Sequence, residues 1–485
     1  MTSPPATKSE FDFEFHPDSA INKIPEGSED AVLVIKTGSQ VLWQRAPIHL
    51  LTTTTLTPNF LIFSDLAERI GNVPVHDCLK NVGPKLRVDH NQFGIYRQAK
   101  LVKPFPGFTP KKDVFASAPS SRPYNVEIAK MDLKGGWDLD KYKNVPILYQ
   151  TYKAFPNKKW YIFMDADSFL FMGNTIRYLN ANYNPDKPLY IGSQTMLGNE
   201  IFAHGGTGYI LSGAAAKLAV VDHPELEHAF EEYAIGHCCG DHVLSRLLDK
   251  IGIKLSYERG QMQGEPWYGL RWDSSTWCSK ILTFHHVSQG DVQELWEFEM
   301  QMEQKLRKDD RNNGFILYSD LYHRFARPYL TSLEPTWDNL SNDKWLERPS
   351  FPSGFSDENQ PKESDLANIQ DDDSRNKWTM WFKLSDLERA APFDRGKCNE
   401  ACRQSNDCLQ WKWVNGKCVM NNSLIFGQKD HTGTTDTAWW SGWMLEKIEK
   451  MRSQQSCENG LDGGFPAEEK KKKKGDGAGA EQEDD

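Results

Sequence analysis

The chain lacks any run of about 18 apolar residues, so it offers no transmembrane helix. It lacks a basic excess. Lys and Arg number 57 against 67 Asp and Glu, a net charge of −10, and nothing domain-wide is available to neutralise phosphates. That argues against a general nucleic-acid binder. The N-terminal stretch MTSPPATKSEFDFEF has no apolar segment of the signal-peptide kind, so either the protein is cytosolic or its targeting segment is missing from this sequence. Of nine cysteines, Cys398, Cys402, Cys408 and Cys418 fall within 21 residues, and none of these four belongs to a CxxC or CxxH knuckle. Zinc sites usually present such knuckles, so disulfides and an oxidising compartment are the expectation. Two glycosylation sequons, Asn339-Leu340-Ser341 and Asn421-Asn422-Ser423, point the same way.

What is present is a folding composition. Of 485 residues, 39% are hydrophobic and 12% aromatic, enough for one large domain and a smaller one. Residues 1–30 read as a flexible leader. AVLVIKTG at 31–38 reads as a buried strand with a glycine stop, Val41 to about Thr53 as an amphipathic segment, and FLIFSD at 60–65 as a second strand. Strand, helix, strand opens a parallel α/β sheet. Residues 81–125 read as a surface excursion and 138–155 as a helix; WYIFMD at 160–165 and PLYIGS at 188–193 read as further strands. The first domain is expected over 31–342, a polar linker over 343–376, a compact Cys- and Trp-rich unit over 377–446, and a disordered tail over 447–485 that includes Lys470–Lys474.

The chemistry centres on WYIFMDADSFLF at 160–171. Asp-x-Asp occurs elsewhere, at Asp138/Asp140 and Asp371/Asp373, but the first pair precedes a helix, where aspartate caps, and the second lies in the linker. Only Asp165 and Asp167 close an apolar strand, where positions i and i+2 share a face. Two carboxylates there repel unless they face solvent or a divalent cation joins them. Hard oxygen ligands at the C-terminal end of a parallel strand suit Mn²⁺ or Mg²⁺ holding a diphosphate. FAHGGTGYILS at 202–212 carries Gly205, Gly206 and Gly208, a tight turn or a loop that a ligand approaches closely. Asp241 opens an amphipathic helix as its cap or as a general base. His285 and His286 end a strand-like run, as structural residues or as metal ligands.

The order VIKTG, FLIFSD, KWYIFMDADSFLF, PLYIGS, FAHGGTGYILS, GD, FHH resembles the fringe and core 1 β-1,3-galactosyltransferase group of glycosyltransferases over roughly residues 30–300. Its fungal branch looks closest, through GGWDLDKYKNVPILYQTYKAFPNKKW. The resemblance implies an α/β GT-A fold, a mixed sheet flanked by helices, and an inverting hexosyltransferase that uses Mn²⁺ and a UDP-sugar. The acceptor would be a glycan or glycoprotein hydroxyl and the product a β-1,3 linkage. It implies a Golgi lumen location and a family usually membrane-anchored. Matched by position, Asp165 and Asp167 take the metal-binding acidic motif, a histidine of His285–His286 completes the shell, and Asp241 is the base. Lys36, Thr37, Asp65, Asp165 and Ala166 fall on the nucleotide-sugar side; Gly205, Gly206 and Trp267 would hold the acceptor. Fringe proteins carry consecutive acids where Ala166 and Gly240 stand here, which bears on the choice of donor sugar. The C-x3-C-x5-C-x9-C unit with Trp411 resembles a PAN/apple module, a small disulfide-stapled α+β domain, and implies the pairs Cys398–Cys418 and Cys402–Cys408.

Two other classes compete. A non-catalytic carbohydrate-binding protein could keep such a fold; it would bind a UDP-sugar without turning it over. A haloacid-dehalogenase-type phosphatase also opens with strand and Asp-x-Asp. DADSF fits that pattern poorly, and no matching downstream lysine and acidic pair is evident.

Overall fold

The computed structural model describes residues 24–101, 133–258, 260–309, 314–430 and 437–457. Its centre is an eight-stranded sheet built from β1 (Ala31–Lys36), β2 (Phe60–Ser64), β3 (Glu68–Ile70), β4 (Val73–Asp77), β5 (Trp160–Asp165), β7 (Tyr190–Gly192), β10 (Tyr209–Ser212) and β11 (Leu255–Tyr257). The spatial order is β11-β7-β10-β5-β1-β2-β4-β3. Chain order between these strands is completed by β6 (Phe169–Leu170) and by the hairpin of β8 (Gln194–Leu197) and β9 (Glu200–Ala203); β12 (Thr283–Phe284) follows. The fold is mixed α/β with a mostly parallel central sheet flanked by helices.

β1 is apolar throughout because both its faces are covered. Val32 and Val34 pack in one apolar cluster with Tyr161, Phe163, Leu148 and Leu244; Leu33 and Ile35 pack in the other with Ile162, Met164, Leu42 and Ile176. Each such side chain, fully buried, stabilises the sheet by about 1.5–3 kcal/mol. β1 pairs in parallel with β2 and with β5, and the register sets Lys36 opposite Asp165. β10 enters antiparallel between β5 and β7, with Tyr209 opposite Phe163. The loop before β10, Gly205–Gly208, therefore lies beside the C-terminal end of β5.

Several sequence expectations change here. Val82, Leu86, Phe93 and Tyr96 are buried in the first cluster, so 81–101, though largely at the surface, is anchored to the core rather than a mere excursion, while 102–132 lie outside the described residues. The helix expected at 138–155 is a single turn, Asp140–Tyr142, followed by Asn144–Ala154. Of the leader, 24–30 are described and include a turn at Ser28–Asp30; residues 1–23 lie outside the described set. The expected linker is folded: β14 (Lys344–Glu347), which follows β13 (Trp337–Asp338), pairs with β16 (Lys417–Asn421), and Trp378 and Trp381 pack with Ile369. Polar composition concealed these few anchoring apolar residues. The expected tail begins with a helix, Leu445–Ser453, and Cys457 is bonded to Cys278; 458–485 lie outside the described residues.

The Cys-rich part is a four-stranded sheet, β14-β16-β15-β18, where β15 is Gln410–Val414 and β18 is Trp440–Trp443; β17 (Gln428–Lys429) pairs with β13 instead. Its disulfides are Cys398–Cys418 and Cys402–Cys408, the nested pairs that the resemblance implies. Cys238 and Cys239 are joined to each other, and Cys78 is a buried free thiol. Trp272 and Leu424 exchange backbone bonds of 2.8 Å in both directions, and Trp272, Phe325, Leu424, Phe426 and Trp443 share one cluster. Both sequon asparagines are buried: Asn339 Nδ2 donates to Trp411 O and Asn421 Nδ2 to Ser423 O. Their carboxamides are structural, and the sequons lend no support to glycosylation. Among the described residues no helix is long and apolar enough to cross a membrane.

Glu299, on the long helix Gln289–Asp309, caps the helix Met172–Asn182 by accepting from Gly173 N at 3.0 Å. Burial, with the Glu303 carboxylate nearby, pushes its pKa up to about 8 from an ordinary 4.5. The native state then holds a proton that the unfolded state has released, so stability falls as pH rises through that window and levels off above it. Glu299→Gln is expected to flatten this decline in denaturant melts between about pH 5 and 8; a variant with the wild-type slope would contradict the assignment.

Candidate active site

β5 ends at Asp165, and a turn through Ala166 brings Asp167 back beside it. The turn, rather than strand pleating, gathers the two carboxylates. It is fixed on three sides. Ala166 N donates to Lys36 O at 2.9 Å, and Ala166 O lies 3.0 Å from His49 Nε2. Burial holds the His49 pKa down at about 4, so the ring is neutral and Nε2–H is the donor. Asp167 O accepts from Val287 N at 2.9 Å, and Ser168 Oγ donates to Gly206 O at 2.6 Å. These bonds tie the acidic turn to the histidine segment and to the glycine loop. Ala166 itself is buried, with both its backbone groups engaged in the turn.

β12 pairs with β6, Phe284 opposite Phe169, and so delivers His285 to the acidic turn. Ligand atoms of Asp165, Asp167 and His285 all lie within 4.8 Å of one another. His285 Nε2 is 3.6 Å from Asp167 Oδ1, too long for a hydrogen bond, and its buried Nδ1 has no hydrogen-bond partner among the described residues. Two carboxylates and an imidazole left this loosely joined fit a hard divalent cation, and these three could hold one. His286 stacks on His285 at 3.8 Å with φ +57°, a left-handed conformation that non-glycine residues rarely adopt. His285 also explains Gly206: a Cβ there would fall 2.2 Å from the ring.

The charges are opposed pairwise. Burial raises the Asp165 pKa, against Lys36, whose Nζ is 3.2 Å away. Burial also pushes Asp167 up, but His285 and Arg45, the latter at 3.0 Å, outweigh it and hold the pKa at about 2. Lys36 also bonds Asp140 at 2.8 Å, and Lys143 reaches Thr37 O at 3.0 Å and Asp65 at 3.5 Å. Asp65 accepts from Ser39 N at 2.8 Å and Ser39 Oγ at 3.0 Å, which makes it the anchor of the loop after β1. Thr37 Oγ1 is buried without a partner among the described residues. Lys36, Thr37, Asp65, Asp165, Asp167 and His285 line one cleft of about 480 Å³, the size of a small-molecule site.

Sequence reasoning missed four charged or aromatic residues of the cleft. Asp140 was set aside with its neighbour Asp138 as helix capping, and Lys143 was hidden in the same helical reading. Arg45 lay in the amphipathic segment from Val41, where nothing local marked it as a site residue. Trp137, 63% exposed, stands at the cleft's lip. His204, in a quoted motif, also went unremarked: its ring is 5.5 Å from that of His285, and its Nδ1 accepts from Thr207 N at 3.2 Å.

Asp241 opens the helix Gly240–Lys250 but is not its cap; Cys239 holds that position. Its Oδ2 accepts from Gly205 N at 2.7 Å and its Oδ1 from His242 N at 2.8 Å, so the glycine loop carries His285 against Gly206 and Asp241 against Gly205. Trp267 is not brought to this cleft. It stacks with Phe325 at 5.0 Å and with Phe426 of the Cys-rich part at 5.5 Å, as a packing residue between the two parts. No known protein-family model matches the sequence.

Proposed function

We propose that the chain is an inverting, metal-dependent glycosyltransferase of the GT-A fold, moving a hexose or N-acetylhexosamine from a UDP-sugar to a glycan or glycoprotein hydroxyl, with a β-1,3 linkage as product. The resemblance of the ordered motifs to the fringe and core 1 galactosyltransferase group supports it, as does the sheet's parallel half, which opens its cleft at the strands' C-terminal ends. The observation that carries the reading is the convergence of Asp165, Asp167 and His285 within 4.8 Å, joined through one glycine loop to Asp241. Asp165, Asp167 and His285 would hold Mn²⁺ or Mg²⁺, which supplies Lewis-acid neutralisation of the departing diphosphate.

The chain's own groups do the rest. The loop after β1, held by Asp65 and Lys143, shapes the donor side and offers Thr37 Oγ1. Arg45, beside Asp167, adds positive charge where a diphosphate would lie. Trp137 takes the place that Trp267 cannot fill, as the aromatic at the cleft. Asp241 accepts the proton of the attacking hydroxyl, and a single displacement inverts the anomeric centre. The Cys-rich part would be a PAN/apple-like module, and the oxidised cysteine pairs fit the lumen of the secretory pathway.

The test is a donor screen with the purified chain, Mn²⁺ and a panel of acceptors, read as UDP release. EDTA is expected to abolish turnover and Mn²⁺ to restore it, while Asp167→Asn is expected to lower turnover by orders of magnitude with the fold intact. Full activity in EDTA would end the metal assignment; UDP-sugar binding with no turnover across the panel would favour the non-catalytic reading.

A further inference from the structure

Cys238 and Cys239 are adjacent and joined to each other, at a sequence separation of 1, whereas Cys278 and Cys457 are 179 apart. A crosslink acts on the unfolded chain by closing a loop, and the effect grows with the loop's length. A ring between neighbours therefore contributes least to overall stability. What it does restrict is its own backbone, because the ring includes the peptide bond that links the two residues. Its consequence is local, and its location decides what that consequence is.

The pair lies between two anchored segments. Before it, the His237 ring stacks on Tyr233 at 3.7 Å, its Nδ1 donates to Tyr233 O at 2.7 Å, and Ile235 O accepts from Lys141 Nζ at 3.0 Å. After it, Cys239 O accepts from Val243 N at 3.1 Å and so starts the helix Gly240–Lys250. Gly240 is wedged against the preceding helix: a Cβ there would fall 2.6 Å from Asp140 O and 2.9 Å from Asn144 Oδ1. Between these anchors the N–H groups of Cys238 and Cys239 have no hydrogen-bond partner among the described residues, and both side chains are half-buried. No hydrogen bond fixes the chain's path into the helix from this side; the disulfide does. Asp241 follows at once. Its Oδ1 accepts from His242 N of its own helix and its Oδ2 from Gly205 N of the glycine loop, at 2.7 Å. The loop contact therefore depends on where and how the helix begins. We propose that the Cys238–Cys239 disulfide is a positioning element for Asp241: it holds the first turn of the helix so that the carboxylate stays on the glycine loop. The proposal rests on the reading of Asp241 as the general base.

The test uses the full chain. Mass spectrometry of unreduced peptides is expected to show Cys238 and Cys239 bonded to each other; free thiols, or bonds to other cysteines, would overturn the proposal. The double variant Cys238→Ser/Cys239→Ser is then compared with wild type. Its denaturation midpoint and its Mn²⁺ affinity should be unchanged, because the ring holds neither the fold nor the acidic turn. Hydrogen exchange at the Gly205 and His242 amides should be faster by about tenfold or more, the signature of a local opening, with the amides of β1 and β5 unaffected. For UDP release, kcat should fall by about ten- to a hundredfold, the loss that a small misplacement of a reacting group produces. A collapsed melt or a lost Mn²⁺ affinity would overturn the proposal, since the ring would then serve the fold or the acidic turn. So would wild-type exchange at both amides, or a wild-type kcat where Asp241→Asn has lost its own. Should Asp241→Asn keep its turnover, the general-base reading fails on its own account, and exchange alone decides whether the ring braces Asp241.

Discussion

Gly206→Ala is expected to abolish divalent-cation binding and with it UDP release. Alanine suits the backbone there, since Gly206 is not among the positive-φ glycines. The conflict is steric: the added Cβ would stand 2.2, 2.4 and 2.6 Å from Cε1, Nε2 and Nδ1 of His285. A flexible side chain could turn away, but this ring is stacked on His286 at 3.8 Å and its segment is pinned by the Val287–Asp167 backbone bond. The imidazole must leave its place beside Asp167. Calorimetric Mn²⁺ titration should then show a loss well beyond the 10–100-fold typical of disturbing a ligand's support. Gly205→Ala is the internal control. Its Cβ would lie 3.1–3.5 Å from the Asp241 side chain, a contact that small shifts accommodate, so it should bind Mn²⁺ normally while turnover suffers. Wild-type Mn²⁺ affinity in Gly206→Ala would remove His285 from the metal site.

That pair of glycines also marks what the sequence could convey. Local patterns carried the strands β1, β2 and β5, because their apolar runs are buried on both faces and need no partner to be recognised. The acidic turn stood out for the same reason: carboxylates are conspicuous at the end of such a strand. What stayed hidden depends on register. Asp140 becomes a site residue only because β1 sets Lys36 opposite Asp165, within 2.8 Å of Asp140. Trp267 looked like a sugar platform until its neighbours from the Cys-rich part were known. The folded stretch at 343–376 was concealed differently. Its own anchors, Leu346 and Ile369, are diluted in polar sequence; Ile369 packs on Trp378 and Trp381 just beyond it, and the strand pairing that orders β14 comes from residues some 70 positions on.

Asp241→Asn is expected to give a folded, donor-binding protein with turnover reduced by about 10²–10⁴-fold, the usual loss on removing a general base. Asparagine is not a neutral replacement here. Both Asp241 oxygens accept backbone N–H groups, from Gly205 and from His242, and an amide can satisfy only one of them. The other N–H would face the Asn NH₂, a part-buried mismatch worth about 1 kcal/mol. A purely structural Asp241 would therefore show its loss in denaturant melts, and a UDP-release assay run well below the melting range would find little change per folded molecule. A base behaves otherwise: the melt shifts modestly, while kcat collapses at every acceptor concentration and donor affinity stays. Transfer within a few-fold of wild type would leave Asp241 as a brace for the glycine loop. His204, next to His285 and half-buried at the same loop, would then be the next group to test for the proton.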